Sequence, residues 1–266
     1  MKIDRCIALI TGASAGIGRE FSRCLATRAR SLVLVARREE RLMHLRDELI
    51  GRNPNLNVHI RAVDLAHKSE IETLVAWLKQ EKIEIDFLIN NAGLGDLGSF
   101  ATSDGEKIDR IIQVNVTGLT LLTQKLLPAM IAKKRGAILH VSSCAGFLPM
   151  PEFSVYAATK AYVTSLSEGL RMELRGTGVS VCALCPGPVR TEFGEVAERP
   201  GQSPERSPEF VYVSAEDVAR VGLAAIENDR ALVIPGFVMK LGMLLVRLTP
   251  MSILRLASRL TAKRSR

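Results

Sequence analysis

Residues 5–20, RCIALITGASAGIGRE, leave the chain few ways to fold. The apolar run at 5–10 is too short for a helix, and a glycine-rich turn at 11–18 follows it directly, then a helix-like segment at 19–27. A buried strand, a turn that demands glycine and then a helix open a parallel α/β sheet. With no side chain at Gly12, Gly16 and Gly18, main-chain N–H groups and the helix N-terminus can approach a pyrophosphate, and Ser14 sits in the same loop.

Short apolar runs recur at 32–36, 57–63, 86–90, 136–142, 178–185 and 231–235, separated by segments of helical pattern. Ser69 with Glu72 reads as a capping box for the third helix, residues 104–132 as one long helix, 154–175 as another, and Ser214 with Asp217 as the start of a helix reaching 228. This alternation predicts an α/β fold: a single-domain, Rossmann-type, doubly wound parallel sheet of about seven strands with helices on both faces. A chain of 266 residues that is 47% hydrophobic suffices for one such core. We divide it into a dinucleotide-binding and catalytic domain, 1–236, and an extension, 237–266. Within the domain, 192–213 breaks all periodicity and reads as a substrate lid, with Phe193, Phe210 and Tyr212 available to line it.

The second strand ends at Ala36 and is followed by Arg37 and Arg38. A site selective for NAD places an acid near this point, about 20 residues past the glycines, to accept from the ribose 2′-hydroxyl. An arginine pairs instead with a 2′-phosphate. Glu39 and Glu40 read as acids of the next helix's first turn. The expected cofactor is NADP(H), with Arg37 and Ser14 at the phosphate.

Tyr156 and Lys160 are four residues apart in a segment of good helix formers, so a phenol and an ammonium share a helical face. A nearby cation stabilises phenolate, each pKa unit corresponding to about 1.4 kcal/mol, which predicts a Tyr156 made useful near neutrality by Lys160. Ser143 follows the strand-like run 136–142, where its hydroxyl could hold a carbonyl oxygen.

This Ser, Tyr-x-x-x-Lys pattern, with the TGxxxGxG turn, resembles the short-chain dehydrogenase/reductase family over residues 5–236. The resemblance implies that Tyr156 exchanges a proton with the substrate oxygen while hydride passes to or from nicotinamide. It implies that Ser143 orients the substrate and that Lys160 binds the cofactor ribose. Asn115, in mid-helix among Ile111, Ile112, Val114 and Val116, matches the residue that distorts the helix and completes a proton relay. Ile17 falls in the glycine turn, Asp64 and Leu65 match the adenine-flanking position, and 90–93 match the NNAG signature. Asn90 is thereby expected at the adenosine ribose, Asn91 in a structural role, and Ala92 and Gly93 at close backbone approach. Pro186 and Gly187 match the PG motif, with Val189 and Thr191 beside the carboxamide. Where the family ends its first helix with glycine, this chain has Ala29, which costs about 1 kcal/mol if that position is a left-handed cap. The implied activity is a metal-free NADP(H)-dependent oxidoreductase of carbonyls and secondary alcohols, with a lipophilic ketone or acyl-type substrate suggested by the tail. The outer faces of the two long helices are where the family pairs subunits, so a homodimer or homotetramer is expected.

Two rivals were weighed. A non-catalytic NADP(H) sensor has no need of the full Ser, Tyr, Lys and Asn set. The other is a membrane-surface-attached lipid, 3-oxoacyl or steroid reductase, and the charge distribution bears on it. The net charge is +8, and from residue 231 onward there are seven basic and no acidic residues, leaving +1 for the rest. The tail alternates Leu, Met and Ile with Arg and Lys, and Pro250 divides it into two helical pieces. Packing of its leucines on the domain, on a partner subunit or over an apolar substrate, with its arginines in water, is the preferred reading, peripheral membrane contact the less favoured one. No recognition motif speaks for nucleic acid. The five cysteines show no disulfide framework, and Cys182 and Cys185 lack the second pair a zinc site needs, so buried reduced thiols are expected. With no signal peptide or spanning run in the sequence, a cytoplasmic setting is expected.

Overall fold

The computed structural model describes residues 2–199 and 208–255. Among them, seven strands form one parallel sheet in the order β3-β2-β1-β4-β5-β6-β7. These are β1 (Ile7–Thr11), β2 (Ser31–Ala36), β3 (Asn57–Ala62), β4 (Phe87–Asn90), β5 (Gly136–Val141), β6 (Val179–Leu184) and β7 (Leu232–Val233). The order reverses between β1 and β4, so a crevice opens beyond their carboxyl ends.

Side chains alternate across the sheet with the strand period of two. On one face Ala8, Ile10, Leu32 and Leu34 pack against α1 (Gly16–Leu25), α2 (Glu39–Arg52) and α8 (Ala215–Glu227). On the other, Ile7, Leu9, Val33 and Val35 meet α3 (Lys68–Gln80) and α5 (Leu119–Ala132). Strands β1, β2, β4 and β5 are buried along their whole length because both faces are covered, whereas the edge strand β3 carries Asn57, His59 and Arg61 and is only partly buried.

The long helix expected at 104–132 is α4 (Gly105–Ile112), a π-helical turn (Gln113–Gly118) and then α5. Gly118 explains where the wide turn can sit, since a Cβ there would lie 2.5 Å from the Leu65 carbonyl oxygen. The fourth-strand side of the crevice thus approaches the 64–65 loop closely. Helix α6 (Ser154–Glu173) carries the Tyr156-x-x-x-Lys160 pair.

Several expectations need correction. Ser69 lies inside α3 and no side chain caps that helix; Glu70 instead accepts from the Asp64 N–H at 2.7 Å. The aperiodic 192–213 segment contains α7 (Glu192–Ala197), N-capped by Thr191, and a 3-10 turn (Glu209–Val211); residues 200–207 of the expected lid lie outside the described residues. Of the cysteines, four are buried and Cys24 is only half-buried. The tail forms α9 (Phe237–Leu248), broken at Thr249 and Pro250 and helical again over 251–255. Leu241, Leu244, Leu245 and Leu248 are all exposed, so of the packed places expected for the tail they do not take the domain itself. Residues 256–266 lie outside the described residues, and no described helix is long and apolar enough to cross a membrane.

Ala29 also behaves otherwise than expected. It is buried, donates its N–H to the Leu25 carbonyl at 2.8 Å, and is absent from the left-handed non-glycine positions, which are Arg5, Lys82, Lys134, Glu152 and Asp229. Alanine is therefore unstrained there and buries a methyl group. Ala29→Gly should lower stability by about 1 kcal/mol, through lost burial and a freer unfolded chain, rather than raise it; a denaturant titration with a higher midpoint for the variant would contradict this.

Candidate active site

The glycine turn is held to the sheet by a clamp. Thr11 Oγ1 accepts from the Asn91 and Ala92 N–H groups at 2.9 and 3.0 Å, while Asn91 Nδ2 donates to the Thr11 carbonyl at 2.9 Å. Gly12 needs its freedom, with φ +65° and a would-be Cβ 2.9 Å from Ala92 Cα. Gly16 is also left-handed, and a Cβ there would meet the Thr191 methyl at 3.1 Å, so the PG loop folds back over the turn. The N-cap of α1, Ala15, provides no side-chain hydrogen bond, so the first-turn N–H groups around Gly16 and Ile17 keep their donors for an anion. Gly18 serves packing, for a Cβ would sit 2.3 Å from the Gly12 carbonyl oxygen.

At the end of β2, Arg37 is exposed, and it is Arg38, one residue on, that points its guanidinium to Ser14 Oγ at 3.5 Å. Arg38 and Arg41 also grip the Glu192 carboxylate at 3.1 and 2.7 Å, which holds Glu192 below the usual carboxylate range, Arg41 contributing most. Asp64 accepts from the Ala66 N–H at 3.0 Å and pairs with Arg110 of α4. Leu65 is buried. Asn90 is buried and its side chain turns to Thr123, donating at 2.8 Å to Oγ1, which leaves its backbone as the part that can face the ribose expected there. The amide lies within a closed polar cluster that continues through His140 to Ser167, and burial drives the His140 pKa down to about 3.

Lys160 is 3% exposed and its Nζ donates to the Val141 carbonyl at 2.8 Å. No carboxylate pairs with it among the described residues, and burial pulls its pKa from 10.5 down to about 8. A Cβ on Gly93 would stand 3.3 Å from that ammonium and 3.5 Å from Asn115 Oδ1, so the NNAG backbone, Lys160 and Asn115 share one small volume. Asn115 lies within the π-turn; its amide accepts from the Leu94 N–H at 2.8 Å and donates to the Leu94 carbonyl and to Thr159 Oγ1 at 2.9 and 3.0 Å.

Tyr156 is buried between aromatic rings, stacked on Phe153 at 4.3 Å and tilted to Phe193 at 5.2 Å, with Lys160 Nζ 5.6 Å from its ring centre. Its pKa is not depressed as the sequence reading expected. Burial pushes the phenol up from 10 to about 12, a hydrogen bond from Ser143 works in the other direction, and the thiols of Cys144 and Cys185 add to the rise. Ser143 accepts from the Ala145 N–H at 3.1 Å and leans towards the Pro186 carbonyl at 3.4 Å. Gly187 faces Met239 of α9, and Val189 bridges to Val213.

Of the lid aromatics, Phe193 reaches Tyr156, whereas Phe210 is exposed and Tyr212 lies under Arg190. The roof is tied down by main-chain bonds from Leu97 to Ala197 at 2.8 Å and from Gly98 to Glu152 at 2.7 Å. Beneath it, Arg199 binds the buried Asp96, with Nε at 3.0 Å, and Lys107 approaches the same carboxylate at 2.9 Å. Phe153, Arg38, Glu192 and Asp96 were not singled out from the sequence as site residues. Of these, only Arg38, next to the chosen arginine, and Phe153, three residues before Tyr156, carried a local signal.

Glycine turn, uncapped helix start, acid-free buried ammonium and small-residue strand ends together fit a nicotinamide dinucleotide. Residues 6–200 match the family described as short chain dehydrogenase. The chain is 43% identical over 190 residues to a sulfoacetaldehyde reductase of Chromohalobacter salexigens, covering 69% of this chain and 72% of that protein. It is 35% identical over 217 residues to an NADP-dependent 3-hydroxy acid dehydrogenase of Escherichia coli K12, covering 80% and 86%. Among solved structures, a short-chain dehydrogenase from Sphingobium yanoikuyae in complex with NADPH superposes with a TM-score of 0.78 at 33% identity, covering 87% and 88% of the two chains.

The Asp96 pair has a pH signature. Arg199 above all, with Lys107, holds the Asp96 pKa at about 2 against an ordinary 3.8. The resulting stabilisation is complete above about pH 4 and is lost as pH falls towards 2. Asp96→Asn should melt below the wild type at neutral pH, and thermal scans at falling pH should see that gap close; a gap independent of pH would argue against the pair.

Proposed function

The chain belongs to the short-chain dehydrogenase family, and on that premise we propose that it reduces the carbonyl of an apolar ketone or acyl-type compound with NADPH. It is an oxidoreductase acting between carbonyl and alcohol. We assign catalysis to Ser143, Tyr156, Lys160 and Asn115 in a domain of residues 1–236, with 192–213 as its lid. The observation that carries the reading is the buried Lys160 ammonium, without a carboxylate, set between Tyr156 and the Gly93 backbone.

Bound, the nicotinamide supplies or accepts the hydride. Gly12, Gly16, Ile17 and Gly18 would hold the pyrophosphate, Asp64 and Leu65 the adenine side, Ala92 and Gly93 the central backbone, and Pro186, Gly187, Val189 and Thr191 the nicotinamide side. Lys160 would hold the ribose hydroxyls. Ser143 Oγ fixes the substrate oxygen. A phenol whose pKa is pushed up to about 12 stays protonated at neutral pH, so Tyr156 is poised to give its proton as that oxygen gains negative charge. Asn115 braces the Leu94 backbone and Thr159 beside this pair and so positions the relay.

The NADP(H) preference is supported by Ala36 at the strand end, where an acid would select NAD, and by the arginines beside Ser14. The apolar substrate is supported by the roof of Met150, Phe153 and Phe193 over Ala145 and Tyr156. Pairing of two copies, as homodimer or homotetramer, is supported by an apolar groove of about 640 Å³ on α5 and α6 lined by Leu127, Pro128, Ile131, Leu166 and Leu170.

A panel of apolar ketones, followed by NADPH oxidation, tests the reading; binding of NADPH with no turnover across the panel would favour a nucleotide sensor. Tyr156→Phe should lower kcat by at least about 100-fold with little change in NADPH affinity. A variant keeping most of its rate would overturn the assignment. Glu192 now occupies the arginines that a 2′-phosphate would use, so Glu192→Gln should tighten NADPH binding by up to about five-fold and leave NADH nearly unchanged. Fluorescence titration of both cofactors checks this, and weaker NADPH binding by the variant would count against the arginine site.

A further inference from the structure

Helix α9 is amphipathic, but its apolar stripe faces away from the protein. A surface helix ordinarily turns that stripe to the core. Here Phe237, Val238, Leu241, Leu244, Leu245 and Leu248 recur at helical spacing and all are exposed, Phe237 by 81% and Leu248 by 72%. At about 100° per residue they fill about a third of the circumference. The opposite side makes the contacts: Met243 is buried and Met239 faces Gly187, while Arg247, at the boundary between the two sides, lies over the Phe147 ring at 5.5 Å. Lys240 and Arg247 fall on one flank of the stripe, and Met251 and Ile253 continue the exposed apolar surface beyond Pro250.

The charges select the occupant. From residue 231 to the end the sequence holds seven basic residues and no acid. A second copy brought against this face would bring cations to cations with no acidic partner from the same segment. An anionic bilayer supplies both a hydrocarbon boundary for the leucines and negative headgroups for the flanking cations. We infer that α9 docks on anionic lipid bilayers. Because α9 lies against Gly187 and Phe147, which flank the candidate site, docking would set the cleft beside the membrane. This inference does not depend on which carbonyl compound the enzyme takes.

Flotation of the full chain tests it, using vesicles of phosphatidylcholine alone and of phosphatidylcholine with phosphatidylglycerol in equal parts. The wild type should float with the anionic vesicles only, and less so in high salt. Leu244→Glu with Leu245→Glu, both at exposed positions, should abolish flotation while leaving the circular dichroism spectrum and NADPH affinity unchanged. Lys240→Gln with Arg247→Gln should weaken vesicle binding by about five-fold per charge. Absence of wild-type flotation with anionic vesicles would overturn the proposal, as would equal flotation of the Leu244→Glu, Leu245→Glu variant. A loss of self-association in that variant, measured by sedimentation with no vesicle binding by the wild type, would assign the stripe to a second copy instead.

Discussion

An ammonium group taken out of water normally brings a carboxylate with it, because several kcal/mol of hydration must be replaced. Among the described residues Lys160 meets none; its hydrogen bond goes to the Val141 carbonyl at the end of β5, at 2.8 Å. That bond ties α6 to the sheet and fixes the charge beneath Tyr156 and beside Gly93. Burial leaves its trace on both partners, lowering the pKa of the lysine and raising that of the tyrosine. The pair is therefore set as a held cation and a protonated phenol, which suits delivery of a proton to a carbonyl oxygen.

The surrounding structure keeps that volume small and its backbone still. Thr11 and Asn91 join the glycine turn to the end of β4 through main-chain partners on both sides, so the turn cannot shift without breaking the sheet edge. The π-turn at Gln113–Gly118 brings Asn115 to Leu94 and Thr159, binding the segment after β4 to α6. These are buried, charge-neutral hydrogen bonds whose loss would leave unpaired polar groups, which is why they hold geometry better than exposed ion pairs would.

The two surfaces above the site differ in kind. Over Tyr156 the roof is aromatic and closed, pinned by Asp96 and Arg199 and by main-chain bonds. Beside it, α9 contributes Met239 and Met243 to the domain and leaves a row of larger apolar side chains uncovered.

Local pattern carried most of the architecture. Strand runs, the glycine turn, the Tyr156 and Lys160 spacing and the mid-helix Asn115 are all set by neighbours within a few residues, and each lies where the sequence places it. What the sequence could not resolve depends on distant partners. Asn90 turns to Thr123 rather than the crevice, Arg38 rather than Arg37 meets Ser14, Glu192 crosses to α2, and Asp96 finds Arg199 across the cleft. The tyrosine pKa belongs here too, because spacing along a helix reveals a nearby cation but not the desolvation that raises the phenol. The sequence alone determined the parallel sheet, the glycine turn between its first strand and helix, and the shared helical face of Tyr156 and Lys160, since these follow from backbone geometry and periodicity. Only the tertiary structure decided that the tail turns its leucines outward, because an amphipathic helix has the same pattern whichever side meets the core.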